Sequence, residues 1–246
     1  MIQFDVLTIF PQIFSSPLKE SILSRAQEQG LVKIQLFDLR SWTLDKHRTV
    51  DDAPFGGGDG MVFKPEVLER AILELRAKKP LAPVILLSPQ GRKFDQSWAQ
   101  ELAHLSRIIL VCGRYAGIDQ RAVDLLIDQE LSIGDYVLSG GEIPALVVIE
   151  AISRLIPGVL GNKDSAQYDS FPARLEWAQY TRPRDFHSYL PPEPLLSGDH
   201  KRIEQFRKKD SLRRTLLKRP ELLLKFPPSE EEQKLLEKIK TELWEN

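Results

Sequence analysis

The chain has 246 residues, of which 42% are apolar and 28% charged, with 34 Lys and Arg against 35 Asp and Glu. Apolar residues this plentiful and a net charge of −1 exclude a largely disordered chain, and the length fits one large domain or one domain with a small appendage. Uncharged apolar runs fall far short of the roughly 20 residues of a membrane span, so we predict a soluble protein with no membrane partner.

The single cysteine, Cys112, excludes an intramolecular disulfide and a multi-cysteine zinc site. The N-terminal segment MIQFDVLTIF alternates like a strand and lacks the parts of a signal peptide. We therefore expect a cytoplasmic protein, and four dispersed histidines do not suggest a metal cluster.

The first 160 residues alternate strand-like and helical patterns. The predicted strands are Phe4–Ile9, Lys33–Phe37, Val84–Ser88, Arg107–Cys112 and Glu130–Ile133. The predicted helices are Leu18–Glu28, Pro65–Ala77, Gln96–His104, Ile118–Ile127 and Glu142–Ile156. Strands rich in Val, Ile and Leu that alternate with helices are typical of an α/β fold with a mostly parallel sheet.

The rest of the chain divides into an irregular stretch and a helical end. Residues 157–197 are punctuated by Pro and Gly, which is typical of a functional loop or a linker. Beyond them, Asp199 can cap a helix, Pro220 opens another turn, and Glu232 stands in capping-box position to Ser229. We predict an α/β domain, an interdomain loop and a small all-helical domain, over residues 1–160, 161–197 and 198–246.

Charge is concentrated in the helical part. Residues 200–225 carry ten Lys or Arg against three acidic residues, whereas the remainder of the chain is acidic. A basic block of this kind favours a polyanionic partner such as a nucleic acid. A solvated helix face explains the block equally well.

Three glycine-rich or polar loops follow predicted strands of the sheet. They are Ser88–Gly91, Cys112–Gly117 and Ile133–Glu142. Ligands bind at the carboxyl ends of parallel strands, and glycine lets main-chain groups approach a ligand closely. We predict one pocket lined by backbone, although each loop alone could be an ordinary tight turn.

A fourth segment, residues 47–61, is rich in glycine but fits no phosphate-binding motif. Neither G-x-x-x-x-G-K-[ST] nor G-x-G-x-x-G occurs, and Phe10-Pro11-Gln12 follows the first strand where a dinucleotide-binding fold has its glycines. We assign His47, Asp51 and Asp52 to a wall of the substrate site.

The irregular stretch holds residue types suited to an extruded nucleobase, for stacking, edge recognition and proton transfer. These are Asp164, Tyr168, Asp169, Phe171, Arg174, Trp177, Tyr180, Arg182, Arg184 and Asp185. A solvated linker is the simpler alternative.

Read in order, these motifs resemble the bacterial tRNA (guanine-N1)-methyltransferases of the SPOUT class. The similarity covers nearly the whole chain, from the opening DVLTIFP to RRTLLKRPELL. Between them lie HRTVDDAPFGGGDGMV, LLSPQG, CGRYAGIDQR, SIGDYVLSGGEIPA, RLIPGVLG, DSF, YTRP and LLSGDHKRI.

The resemblance implies a deep trefoil knot in the N-terminal domain, S-adenosyl-L-methionine as methyl donor, tRNA as substrate and a homodimer. The methyl goes to N1 of the guanosine at position 37, 3′ of the anticodon. Asp169 matches the general base and Arg154 a residue that assists it, although Arg154 also suits a helix C-terminus or a salt bridge. The donor site implied by the resemblance comprises Leu87, Pro89, Gly113, Tyr115, Gly117, Ile133, Gly134, Asp135, Tyr136, Val137, Leu138, Gly140, Gly141 and Pro144.

The chain departs from the family pattern at Ala116, where an acidic residue normally follows CGRY. Loss of that carboxylate would weaken a contact to the donor, to the guanine or to a divalent ion, so a role for Mg²⁺ is left open and no metal ligand is assigned. Two alternatives follow: a tRNA-binding SPOUT protein with reduced or lost catalysis, or a SPOUT enzyme acting on a ribose 2′-hydroxyl or on ribosomal RNA.

Overall fold

A computed structural model of the chain describes residues 1–161, 170–171 and 173–244. The chain divides into two compact units, Met1–Lys163 and Asp164–Asn246, and each is described by itself. In the described part, no helix has the length and apolar character that crossing a bilayer requires.

The first unit alternates strands and helices. Its strands are β1 Ile2–Thr8, β2 Val32–Asp38, β3 Asp51–Asp52, β4 Val62–Phe63, β5 Val84–Lys93, β6 Arg107–Cys112, β7 Gly117–Ile118 and β8 Gln129–Ser132. Its helices are α1 Ser21–Glu28, α2 Pro65–Arg76, α3 Gln96–Ala103, α4 Gln120–Leu126 and α5 Glu142–Ser153, with 3₁₀ turns at Pro11–Phe14, Pro17–Lys19 and Leu39–Trp42.

Five strands form one sheet in the order β2-β1-β6-β5-β8, and all of their pairings are parallel. Side chains of β6 alternate between two cores: Ile108 and Leu110 pack on the side of α1, α3 and α5, and Ile109 and Val111 on the side of α2 and α4. Both faces of the sheet are therefore covered, as buried parallel sheets require. The predicted α/β fold is confirmed, and the knot stays a prediction.

An ion pair links the two central strands inside the sheet. The Asp5 carboxylate on β1 accepts hydrogen bonds from Nε and Nη2 of Arg107 on β6, and both side chains are buried. Nη1 of Arg107 also donates to the carbonyl oxygens of Lys78 and Pro80. A charge buried this deeply is tolerated because it is paired and hydrogen-bonded.

The second unit is helical, with α6 Glu193–Leu196, α7 His200–Lys218, α8 Glu221–Lys225 and α9 Glu230–Trp244. Leu212 of α7 packs against Leu236 and Ile239 of α9. The predicted capping box is present, because Ser229 N donates to Glu232 Oε2 (2.9 Å) and Glu232 N donates to Ser229 Oγ (3.3 Å).

Several sequence-based assignments differ from the structure, and three of them are informative. Strand β5 does not end at Ser88, because Arg92 and Lys93 pair with β8 after a shift of register. Ile118 belongs to β7 rather than to α4, and the stretch predicted to be irregular contains the short helix α6. In each case pairing or packing with another part of the chain overrides the local pattern.

Candidate functional site

A cavity of about 280 Å³ lies at the carboxyl ends of β6 and β8, beside the shift of register that interrupts β5 between Leu87 and Arg92. Strand β5 lies between β6 and β8 in the sheet, so the loops after β6 and β8 and the irregular part of β5 meet at one edge. The three loops singled out in the sequence all line the cavity. The predicted single pocket is therefore present, at the edge where open parallel sheets bind ligands.

All but one of the fourteen residues that the resemblance assigned to the donor site line this cavity. They are Leu87, Pro89, Gly113, Tyr115, Gly117, Ile133, Gly134, Tyr136, Val137, Leu138, Gly140, Gly141 and Pro144. The exception is Asp135, whose side chain is 87% exposed and pairs with Lys93 (Oδ2 to Nζ, 2.8 Å).

Close backbone packing shapes the cavity at Gly141. Its N–H donates to the carbonyl oxygen of Gly113 (2.9 Å), which joins two of the loops. A Cβ at position 141 would lie 2.7 Å from Cα of Cys112 and 3.1 Å from Cβ of Leu87. Only glycine fits there without moving main chain.

Several lining residues were missed as ligand contacts. Gln90, Arg114 and Ser139 stand inside the loops that had been singled out, whereas Gln120 begins α4 and Glu130 lies on β8. The three loop residues could have been predicted, since they lie inside the segments that the sequence analysis proposed for the pocket. Position alone does not distinguish Gln120 or Glu130 from surface residues.

A buried network stands next to the cavity. Glu142, the first residue of α5, is 1% exposed and accepts hydrogen bonds from Thr8 Oγ1 (2.8 Å) and from Arg114 Nε (3.0 Å). The Arg114 guanidinium lies over the Phe10 ring, 4.5 Å from its centroid. The network thus joins the end of β1, the loop after β6 and the start of α5.

The segment 47–61 is anchored to the loop after β6. Strand β4 pairs in parallel with β7, and Ala116 N donates to the carbonyl oxygen of Met61 (2.9 Å). Asp52 of this segment pairs with Lys64, which follows β4 (3.6 Å). The assignment of His47, Asp51 and Asp52 to a substrate wall stays a prediction, because they are not among the cavity-lining residues.

Arg154 stands at the C-terminal cap of α5, not in the lining of the cavity. Asp169 lies outside the described residues, as do Asp164 and Tyr168. Cys112 is fully buried, and burial, followed by the nearby Glu142 carboxylate, raises the pKa of its thiol well above the ordinary value. A core role for Cys112 is confirmed.

Part of the predicted nucleobase-gripping set serves the second unit instead. Arg174 forms a two-point ion pair with Glu232 (3.1 and 3.2 Å) and donates to the carbonyl oxygen of Phe226 (2.8 Å). Trp177 stacks with Arg207, at 4.9 Å from guanidinium to ring centroid. Because these contacts hold the stretch after residue 170 onto α7 and α9, we no longer assign Arg174 and Trp177 to the base.

A family model described as tRNA (Guanine-1)-methyltransferase TrmD matches the chain from residue 2 to residue 225. The chain belongs to this family. Proteins named tRNA (guanine-N(1)-)-methyltransferase are 52% identical in Dictyoglomus turgidum, over all of this chain and 99% of the relative, and 51% identical in Dehalococcoides mccartyi, over 98% of both. A third, from Citrifermentans bemidjiense, is 49% identical over 96% of both chains.

Membership in the tRNA (guanine-1)-methyltransferase family confirms the predicted enzyme class, a methyltransferase. The comparisons give no support to the alternative in which catalysis is lost at Ala116. They also disfavour a SPOUT enzyme that acts on a ribose hydroxyl, because these relatives are named for methylation of guanine N1.

Proposed function

We propose that this protein transfers a methyl group from S-adenosyl-L-methionine to N1 of the guanosine at position 37 of tRNA, 3′ of the anticodon. One observation carries the proposal: in a chain of this family, the three glycine-rich or polar segments singled out in the sequence line a single cavity at one edge of the parallel sheet. Such a cavity suits a small nucleoside ligand.

The chemistry of the residues that line the cavity supports the proposed donor. Main-chain groups of Gly113, Gly140 and Gly141 are within reach because no Cβ covers them. The carbon side chains of Leu87, Leu138 and Pro144 can contact an adenine ring. When bound, S-adenosyl-L-methionine supplies a methyl group already activated by its sulfonium.

Guanine N1 carries a weakly acidic proton and is a poor nucleophile until that proton leaves. We assign Asp169 as the base that takes the proton from about 3 Å, and Arg154 as the cation that stabilises charge on O6. N1 then forms a bond to the methyl carbon while the carbon–sulfur bond breaks, and its electron pair stays on sulfur. The products are N1-methylguanosine, a protonated Asp169 and S-adenosylhomocysteine.

Single-turnover methylation of tRNA transcripts tests this assignment. A transcript with G at position 37 should accept one methyl group at N1, and one with A at that position should accept none. Asp169→Asn keeps the shape but cannot accept the proton, so its rate should fall by at least about a hundredfold.

Glu193→Gln is the matched control, because Glu193 is an exposed carboxylate in the same stretch that pairs with Arg202 (2.7 Å). A near-parental rate in Asp169→Asn would remove Asp169 from the mechanism. A methyl group found on another atom of the tRNA would contradict the proposed reaction itself.

We also propose a homodimer, in which one chain holds the donor and its partner contributes the stretch with Asp169. Helix α5 supports this, because it is apolar around most of its circumference. One side fills the core with Val148, Ile149 and Ile152, whereas Ile143 and Val147 stay 51% and 43% exposed. A helix of this kind is typically covered on both sides.

The basic block supports tRNA as partner, since the cations of α7 are not all used internally. Lys208 and Lys209 pair with Glu231 and Glu242 on α9. Arg213 and Lys218 are exposed and form no ion pair within the part of the chain that the structure describes. Each should therefore contact a phosphate.

The salt dependence of tRNA binding distinguishes the two groups of cations. The logarithm of the tRNA association constant should fall linearly with the logarithm of the salt concentration. Arg213→Gln and Lys218→Gln should each reduce the steepness of this fall by about one. Lys209→Gln, the paired control, should change the slope less. Equal slopes in all variants would place the tRNA on another surface.

Two further points belong to this proposal. Because tRNA is the proposed substrate, we propose a cytoplasmic location. The family resemblance leaves room for Mg²⁺, but among residues 1–161, 170–171 and 173–244 no group of three or more His, Cys, Asp or Glu is arranged to hold a metal ion. We therefore assign no ligand and no step to the ion.

A further inference from the structure

The described lining of the cavity holds two charged side chains, Arg114 and Glu130, and Arg114 is the cation. This matters because the proposed donor ends in an amino acid whose carboxylate must lose part of its water shell on binding. A desolvated carboxylate needs a cation or several N–H donors in its place.

Arg114 is held in one orientation. Its Nε donates to Glu142 (3.0 Å), its guanidinium lies over Phe10, and its side chain is 19% exposed. Its backbone forms an antiparallel bridge with Gly140. A Cβ at position 140 would lie 2.4 Å from Arg114 Nε and 2.6 Å from Glu142 Oε2, so the pair requires glycine beside it.

One end of the guanidinium is left for a ligand. A guanidinium has five N–H donors, and among the described residues the hydrogen bonds of Arg114 engage Nε alone. Its terminal nitrogens thus have four N–H groups available, in the planar fork that matches a carboxylate. Glu142 is in turn fixed by Thr8, so the fork is organised before any ligand arrives.

We propose that Arg114 binds the α-carboxylate of the amino-acid end of the methyl donor, and that Glu142 is the positioning residue that orients it. This inference rests on the proposed function, because it takes S-adenosyl-L-methionine as the ligand of the cavity. A phosphate of the RNA offers similar oxyanion chemistry. The donor carboxylate is favoured because Arg114 lines the same cavity as the three loops proposed to hold the donor.

Two ligands isolate the amino-acid end that carries the carboxylate. S-adenosylhomocysteine and 5′-methylthioadenosine share the thioether nucleoside, but the second lacks the amino acid. Calorimetry should show that Arg114→Gln weakens binding of S-adenosylhomocysteine by about tenfold or more and leaves binding of 5′-methylthioadenosine within about twofold of the parental value. A merely structural loss at Arg114 would weaken both ligands alike.

Variants of neighbouring residues complete the test. Glu142→Gln retains the shape of the side chain but not its charge. It should lower the ratio of the affinity for S-adenosylhomocysteine to that for 5′-methylthioadenosine, by a smaller factor than Arg114→Gln does. Arg121→Gln is the matched control, because Arg121 is 68% exposed and pairs with Asp119 outside the cavity lining. It should change neither affinity.

The outcomes separate the two proposals. Equal weakening of both ligands in Arg114→Gln, or no weakening of either, overturns the role of Arg114 and leaves the proposed function standing. Unchanged ligand binding with weakened tRNA binding would assign Arg114 to a phosphate and also overturn it. If the parental protein binds neither ligand, the donor site itself is wrong and the proposed function fails first.

Discussion

Thr8 Oγ1 and Glu142 Oε1 form a buried hydrogen bond of 2.8 Å between residues 134 positions apart in the sequence. The bond connects the carboxyl end of β1 to the first residue of α5. Thr8 Oγ1 also accepts a hydrogen bond from Phe10 N (2.9 Å), so one hydroxyl serves both neighbours. The end of β1 thereby holds both residues that orient Arg114.

Thr8→Val tests the strength of this connection. The substitution keeps the side-chain shape but leaves a buried carboxylate oxygen and a backbone N–H without their partner. The free energy of unfolding should fall by about 1–3 kcal/mol, as measured by urea denaturation. Thr8→Ser retains the hydroxyl and is the control; an equal loss in both variants would attribute the effect to packing of the methyl group.

Gly141→Ala tests the close approach of the loops at the cavity. The added Cβ would lie 2.7 Å from Cα of Cys112, so main chain on one side must move. Calorimetry should show binding of S-adenosylhomocysteine weakened by about tenfold or more, which corresponds to about 1.4 kcal/mol.

Gly161→Ala is the control for this substitution. No atom of the described residues lies within 4 Å of a Cβ at position 161, and its backbone lacks the left-handed φ that penalises a side chain. It should bind the ligand with parental affinity. Parental affinity in Gly141→Ala as well would show that the backbone at position 141 does not form the donor site.

Ala116→Glu restores the acidic residue that the family pattern has at this position. Ala116 lines the cavity, and the proposed donor carries a net positive charge, so an added carboxylate should attract it. We expect binding of S-adenosyl-L-methionine to strengthen by about two- to fivefold, corresponding to at most about 1 kcal/mol.

Ala116→Gln has nearly the same volume without the charge and should leave the affinity near its parental value. S-adenosylhomocysteine lacks the sulfonium charge, so it should gain less from Ala116→Glu than the donor does. An equal gain for both ligands would argue against an electrostatic cause.

Glu232 gives the second unit a predicted pH dependence. Burial acts to raise the pKa of its carboxyl, but hydrogen bonds from Ser229 N and from Arg174 outweigh burial and hold the pKa below the ordinary value of 4.5. Because the pKa is lowered in the folded state, the stabilisation is present above the unfolded pKa and is lost as the pH falls through the folded pKa.

Hydrogen exchange of the α9 amides measures this dependence. Glu232→Gln should reduce their protection at about pH 7 by about 1 kcal/mol, and the difference from the parental protein should shrink as the pH falls below about 4. Glu230→Gln changes a charge in the same first turn of α9 and should have a smaller effect. A difference independent of pH would exclude the carboxyl charge as its source.

The sequence predicts most of the sheet, because β1, β6 and the first half of β5 are buried on both faces and are mostly apolar. The bounds of β6 are as predicted, and β2 and β8 differ by one residue at each end. Strand β5 was cut short because its continuation at Arg92 and Lys93 is polar and is set by pairing with β8. Pairing with a distant strand leaves no pattern in the local sequence from which the end of β5 could be predicted.

Predictions for the cavity succeeded where glycine marked the loops and were incomplete where a side chain depends on distant partners. Nothing near Arg114 in the sequence indicates that Glu142 and Phe10 fix its guanidinium. The ion pair of Arg174 could not be predicted for the same reason, because its partner Glu232 lies 58 positions away. Charged residues in irregular segments can therefore be assigned only when their partners are known.

The strand order has a consequence for synthesis on the ribosome. Strand β1 is made first but lies between β2 and β6, and Arg107 of β6 is translated almost a hundred residues after Thr8. At roughly 5–20 residues per second, one edge of β1 stays unpaired for roughly 5–20 s, with Asp5 lacking its guanidinium partner. Nascent chains in this interval present an apolar strand edge and are candidates for capture by chaperones.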